Sequence, residues 1–146
     1  MRTLIAITLL SASPFCFAEE LYVVFEQADF LGGYSDSIYL SGNKGLRLRR
    51  EGMQQEIPTA KGTMPTWKII NLSDEQISEY VDRVIQIGVK DWKEKYPEST
   101  EGLICDGLTF QLLIEIKGLK IKSFGSCYTP DSYEEFVRIT TELFKD

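Results

Sequence analysis

The clearest pattern in the chain is an alternation of apolar and polar residues. Leu108, Phe110, Leu112, Ile114 and Ile116 interleave with Thr109, Gln111, Glu115 and Lys117. A period of two sends one set to each face of a strand. Lys117-Gly118 offers a two-residue turn, and Leu119-Lys120-Ile121-Lys122 returns as its antiparallel partner. Nearer the N-terminus, Leu21-Tyr22-Val23-Val24-Phe25 has the β-branched and aromatic residues of a first strand. Gly32-Gly33 breaks the pattern after Phe30-Leu31. Ser37-Ile38-Tyr39-Leu40 predicts a second strand, and Gly42-Asn43-Lys44-Gly45 has turn chemistry. Leu46-Arg47-Leu48-Arg49 then alternates, with one apolar and one basic face, and completes a hairpin. Gly52, Pro58, Gly62 and Pro65 mark a loop from Glu51 to Pro65, with a short extended piece near Glu56-Ile57. Trp67–Ile70 predicts one more short strand.

Two segments have helical periodicity instead. Ser73 and Gln76 stand at capping-box spacing, flanked by Leu72 and Ile77 at the spacing of a hydrophobic staple. Asp74 and Glu75 place negative charge where the helix dipole favours it. Ile77, Tyr80, Val81, Val84, Gly88 and Trp92 continue one stripe. The helix is expected to end near Tyr96, because Pro97 disfavours helical geometry in the residue before it. A second helix is expected to begin near Thr129-Pro130-Asp131 and to bury Tyr133, Phe136, Val137, Thr140, Leu143 and Phe144. Strands joined by tight turns, with two amphipathic helices among them, predict an α+β fold. Its sheet is mostly antiparallel and both helices pack on one face, as a two-layer sandwich.

The N-terminus changes the compartment. Arg2, the apolar run Leu4–Leu10 and the small residues around Cys16-Phe17-Ala18 have the layout of a cleavable export signal. The run is too short to cross a bilayer, which takes about 20 residues. A lipid-modified Cys16 is the poorer reading, since Ser13-Pro14-Phe15 precedes it. Residues 1–18 are therefore read as a signal peptide and 19–146 as a single domain, periplasmic or secreted. The 146-residue chain has 22 acidic and 16 basic residues, a net charge of −6, which loss of Arg2 takes to −7. An acidic protein is a poor nucleic-acid binder, and no nucleic-acid partner is expected.

Losing the leader discards Cys16 and leaves Cys105 with Cys127. An oxidising compartment favours a disulfide between them. The β-hairpin around Lys117-Gly118 brings both to its open end. A bridge closing a loop of about twenty residues contributes roughly 3 kcal/mol. No metal site or cofactor is expected, since the chain has no histidine and two thiolates alone rarely hold zinc.

Lack of histidine also excludes Ser-His-Asp and Cys-His catalysis. The glycine pairs lack phosphate-loop spacing. Asp106-Gly107 reads as a turn. Glu26, Asp29 and Asp36 are the acid–base candidates, and solvated loop carboxylates are their plainer reading. No catalytic residue is assigned and no enzyme activity is expected. Two candidate interface groups remain. Arg47, Arg49 and Arg50, with Lys44, form a basic cluster suited to carboxylates or to protecting a sheet edge. Phe30, Leu31 and Tyr34 place apolar side chains in a glycine-hinged loop, free to anchor a partner or to fold into the core.

The order of strands, the helix in Asp74–Trp92, Cys105-Asp106-Gly107, the alternating hairpin, Pro130 and a last helix resembles small bacterial inhibitors of the emfourin type. The resemblance covers most of residues 19–146, in element order and hydrophobic pattern. It implies a protein that binds and blocks a metalloprotease. The leader and the cysteine pair depart from that pattern, and no inhibitory residue carries across. An immunity protein against a periplasmic toxin has the same compact acidic form. The expected function is binding of another protein. A module for a small molecule or an envelope polymer is the alternative, and would need an aromatic-lined pocket between sheet and helices.

Overall fold

The computed structural model describes residues 21–29, 33–51, 65–98 and 106–145. The expected signal segment, residues 52–64, Phe30, Leu31 and Cys105 lie outside the described residues. The elements are β1 (Tyr22–Asp29), β2 (Tyr34–Ser41), β3 (Lys44–Glu51), β4 (Thr66–Asn71), α1 (Asp74–Gln86), β5 (Lys95–Tyr96), β6 (Leu108–Ile116), β7 (Leu119–Ser126) and α2 (Tyr133–Glu142). They form an α+β fold, with one sheet of order β4-β3-β2-β1-β6-β7-β5. Every pairing is antiparallel except β5 with β7.

The alternation that predicts the strands also sorts their faces. Val23, Leu40 and Ile114 stand side by side in register, as do Phe25, Ile38 and Leu112. All six are buried and point toward the helices. There Phe25 meets Phe136 with ring centroids 5.2 Å apart, and Trp92 meets Phe136 at 5.4 Å. Each such side chain taken from water contributes about 1.5–3 kcal/mol. The helices touch each other through Tyr80 and Thr140, whose hydroxyls are 3.2 Å apart, and through Arg83, which donates to Glu142 at 2.8 Å. Burial pushes the Tyr80 phenol well above its ordinary range, so the buried group stays protonated.

Local chemistry is where the pattern places it at most joints. Lys117 and Gly118 both take positive φ, 46° and 74°, as a two-residue hairpin turn requires. Ser73 accepts from the Gln76 amide at 3.2 Å while the Gln76 side chain accepts from the Ser73 amide at 2.9 Å. The predicted capping box is therefore closed at both bonds.

The first helix is shorter than its stripe predicts. It stops at Gln86, because Gly88 takes the left-handed conformation, φ 77°, in which glycine terminates helices without strain. A 3-10 turn at Val89–Asp91 follows. Lys95–Tyr96 then joins β7 in parallel. Trp92 still reaches the core, with its indole N–H donating to Ser132 Oγ at 2.9 Å. The second helix begins at Tyr133, after a turn in which the Tyr133 amide donates to Pro130 O at 3.0 Å. Ile139, outside the predicted stripe, is buried there with Tyr133 and Phe136.

β3 turns its basic face, not its apolar one, toward the helices. Register pairs Leu46 with Tyr39 and Leu48 with Ser37, and directly opposed residues share a face. Both leucines therefore lie on the sheet face that no helix among the described residues covers. Gly45 and Arg47 lie on the helix side. A Cβ at Gly45 would come within 2.8 Å of the Ile70 side chain, so a larger residue at this position would have to displace Ile70.

Candidate functional site

The predicted basic cluster is divided by the sheet. Arg47 is half-buried and donates to Asp36 through Nε at 2.9 Å and Nη2 at 2.6 Å. It is thus held by an internal carboxylate and is not a free interface residue. Arg49, on the same face, pairs with Glu51, and its guanidinium carbon lies 5.8 Å from the Tyr34 ring centroid. Arg50 is exposed and points to the opposite face.

Asp36 is fully buried and anchors a polar chain. Tyr34 donates its hydroxyl to Asp36 Oδ2 at 3.2 Å, Gln27 donates to the Tyr34 oxygen at 3.0 Å, and Tyr133 donates to Gln27 Oε1 at 2.7 Å. Burial raises the Tyr34 phenol above its ordinary value, and the Asp36 charge adds to the shift. Burial pushes Tyr133 up as well, with the Glu134 charge a further cause. Both phenols are therefore kept as donors at neutral pH. No buried side-chain polar atom among the described residues lacks a partner. Tyr34 is half-buried and joins this network from the helix side, so of the two placements its loop left open it takes the inward one.

The acid–base candidates do not share a cleft. Asp36 faces the helices. Glu26 is on the other face, where it accepts from the Tyr39 hydroxyl at 2.5 Å. Asp29 accepts the Gly33 amide at 2.7 Å and closes the bend after β1.

A different surface stands out: the sheet face away from the helices. One row runs Ile69, Leu46, Tyr39, Val24, Leu113 across five neighbouring strands. Trp67 and Leu48 begin the next row. Trp67 is 68% exposed and Ile69 73% exposed. Such contiguous apolar area, with an open tryptophan, is the surface chemistry of an interface. Its signal was present in the sequence as the alternation Leu46-Arg47-Leu48-Arg49 and as Trp67. Alternation alone does not say which face is covered.

Two depressions accompany it. One, of about 170 Å³, lies between the helices beside Gln76, Tyr80, Arg83 and Glu142. The other, of about 250 Å³, lies on the open face among Val24, Gln111, Leu113 and Phe124. The layer between sheet and helices is filled by aromatic rings, with Phe110 and Tyr133 centroids 4.9 Å apart. No helix among the described residues is long and apolar enough to cross a membrane. Among those residues, no cluster of acidic or cysteine side chains has the composition of a metal site. No protein-family model matches the chain, and comparison with curated proteins finds no match.

Proposed function

We propose that this protein is an exported, non-enzymatic domain that binds another protein, as an inhibitor or an immunity factor, through the open face of its sheet. The observation that carries this reading is the exposure of Trp67 and Ile69 beside Leu46, Leu48 and Tyr39. A protein partner suits this broad apolar surface better than a small molecule does. Small-molecule sites are enclosed and run to about 300–1,000 Å³, whereas the depression on this face is shallow and smaller. The element order similar to emfourin-type inhibitors agrees with the same class of function.

The test is capture from envelope extract with tagged chain, wild type against Trp67→Ser combined with Ile69→Ser. Wild type is expected to retain a partner that the variant retains at least tenfold less, about 1.4 kcal/mol or more. The melting temperatures should match. Equal retention by the two chains would exclude this face, and no retained partner would remove the binding function.

Export leads to a proposed Cys105–Cys127 disulfide. Its support is the position of Cys127, whose amide donates to Leu108 O at 2.8 Å, beside the start of β6. Cys105 precedes Leu108 by three residues in the chain. Adding a reductant is expected to lower the melting temperature by several degrees. An unchanged transition, with two titratable thiols in the native protein, refutes the bridge.

A further inference from the structure

The open face ends in β4, whose outer edge pairs with no strand among the described residues. There β4 is the terminal strand, with β3 on one side only. The Leu72 amide donates to Asn43 O at 2.8 Å. Along an antiparallel strand the backbone groups alternate between its two sides. Ile70 and Lys68 therefore turn their amides toward β3, and Ile69 and Trp67 turn theirs outward. Proteins usually blunt such edges with charged side chains, lysine above all, or with proline, bulges or very short strands. The opposite edge follows that rule, since β5 has two residues. β4 has six, with no proline among them and one lysine, Lys68, on the helix side, and its outward amides include those of Trp67 and Ile69, its two most exposed apolar residues.

Charge on this corner runs against the rest of the molecule. The chain as a whole is acidic, with a net charge of −6. The open faces of β2, β3 and β4 carry no carboxylate. They carry Lys44 at one end, opposite Asn71, and Arg50 at the other. Both cations are exposed, and neither is ion-paired among the described residues. An apolar centre flanked by two unpaired cations complements a segment with an apolar centre and acidic flanks.

We infer that β4 accepts an extended segment of the partner as an eighth strand. Its apolar side chains lie beside Trp67 and Ile69, and its acidic ones face Lys44 and Arg50. Main-chain hydrogen bonds to the outward groups supply affinity, and the alternate side chains supply specificity. Strands lie about 4.8 Å apart, so a flanking carboxylate is roughly 10 Å from the β3 backbone, a gap that lysine and arginine side chains span. The inference rests on the open face being the binding face, and adds the form and charge of what binds.

The probe is a capped heptapeptide, Glu-Thr-Val-Thr-Val-Thr-Glu, added to the full domain. Trp92 is buried and Trp67 exposed, so long-wavelength tryptophan emission reports on Trp67. The peptide is expected to shift that emission to the blue in a saturable way. Lys44→Glu with Arg50→Glu should weaken binding by about tenfold. The control peptide with both end glutamates replaced by lysine should not bind to wild type. Ile69→Pro removes one outward N–H and no ladder bond, and should abolish binding with the melting transition intact. Equal binding of the two peptides, or full binding by Ile69→Pro, overturns the inference. So does a shift produced only by vesicles of anionic lipid, or a dimer of the chain that Ile69→Pro dissolves. A partner captured by Ile69→Pro and lost with Trp67→Ser would leave the face as the binding site and remove the added strand alone.

Discussion

Arg47→Ala is expected to lower the unfolding free energy by about 3 kcal/mol, as measured by urea denaturation. Asp36 is fully buried and receives two of its three side-chain hydrogen bonds from the Arg47 guanidinium, at 2.9 and 2.6 Å. Alanine leaves the carboxylate inside the protein with only the Tyr34 hydroxyl, 3.2 Å away. An unpaired buried charge costs more than the pair itself contributes. The Arg47 side chain retains 18% exposure, which places the effect at the lower end of the range for buried pairs. The double variant Asp36→Leu with Arg47→Met separates the two quantities. It removes both charges but overfills the Asp36 site and leaves the Tyr34 hydroxyl without its acceptor, so it should recover only part of the loss. A cost below about 1 kcal/mol for Arg47→Ala, the range of exposed pairs, would mean that water reaches Asp36.

That ion pair also marks where the sequence stopped being informative. The hairpin of β6 and β7, the capping box and both helices were legible, because each rests on neighbours within a few residues. Lys117-Gly118 chooses its own turn, and Ser73 finds Gln76 one turn away. The inner network was not legible. Gln27, Tyr34, Asp36, Arg47 and Tyr133 come from three strands and a helix, and no spacing in the chain announces that they meet. The orientation of β3 was not legible for a related reason. Leu46-Arg47-Leu48-Arg49 has an apolar and a basic face, and burial of apolar area alone would turn the apolar one inward. Here the buried carboxylate and the close approach at Gly45 reverse the choice. Arginine enters and the leucines remain outside. The surface left with an apolar character is thus a consequence of the internal ion pair, two strands removed from β1 at the centre of the sheet. The early end of α1 has a local cause that the stripe concealed. Gly88 falls at a stripe position, so the apolar pattern runs through the residue that stops the helix.

Phe136→Ala should be the most damaging single truncation of those considered, at about 4 kcal/mol. Phe136 is inaccessible to solvent. It is the ring on which the sheet and the segment after α1 converge, edge-on to Phe25 from β1 at 5.2 Å and to Trp92 at 5.4 Å. Alanine removes the ring from a site with no exit to water, and the lost transfer energy is joined by the cost of the cavity. Phe25 and Trp92 sit on different elements, so neither can collapse into the gap without moving its own backbone. The denaturation midpoint should fall with the slope unchanged, since the surface exposed on unfolding is nearly the same. Trp67→Ser gives the contrasting result. It deletes a larger side chain, yet one 68% exposed on the open face, and stability should change by less than about 0.5 kcal/mol. A fold that gains little from its largest exposed ring presents it for something outside the chain. If Trp67→Ser instead costs as much as Phe136→Ala, the ring belongs to the core and the open face loses its anchor.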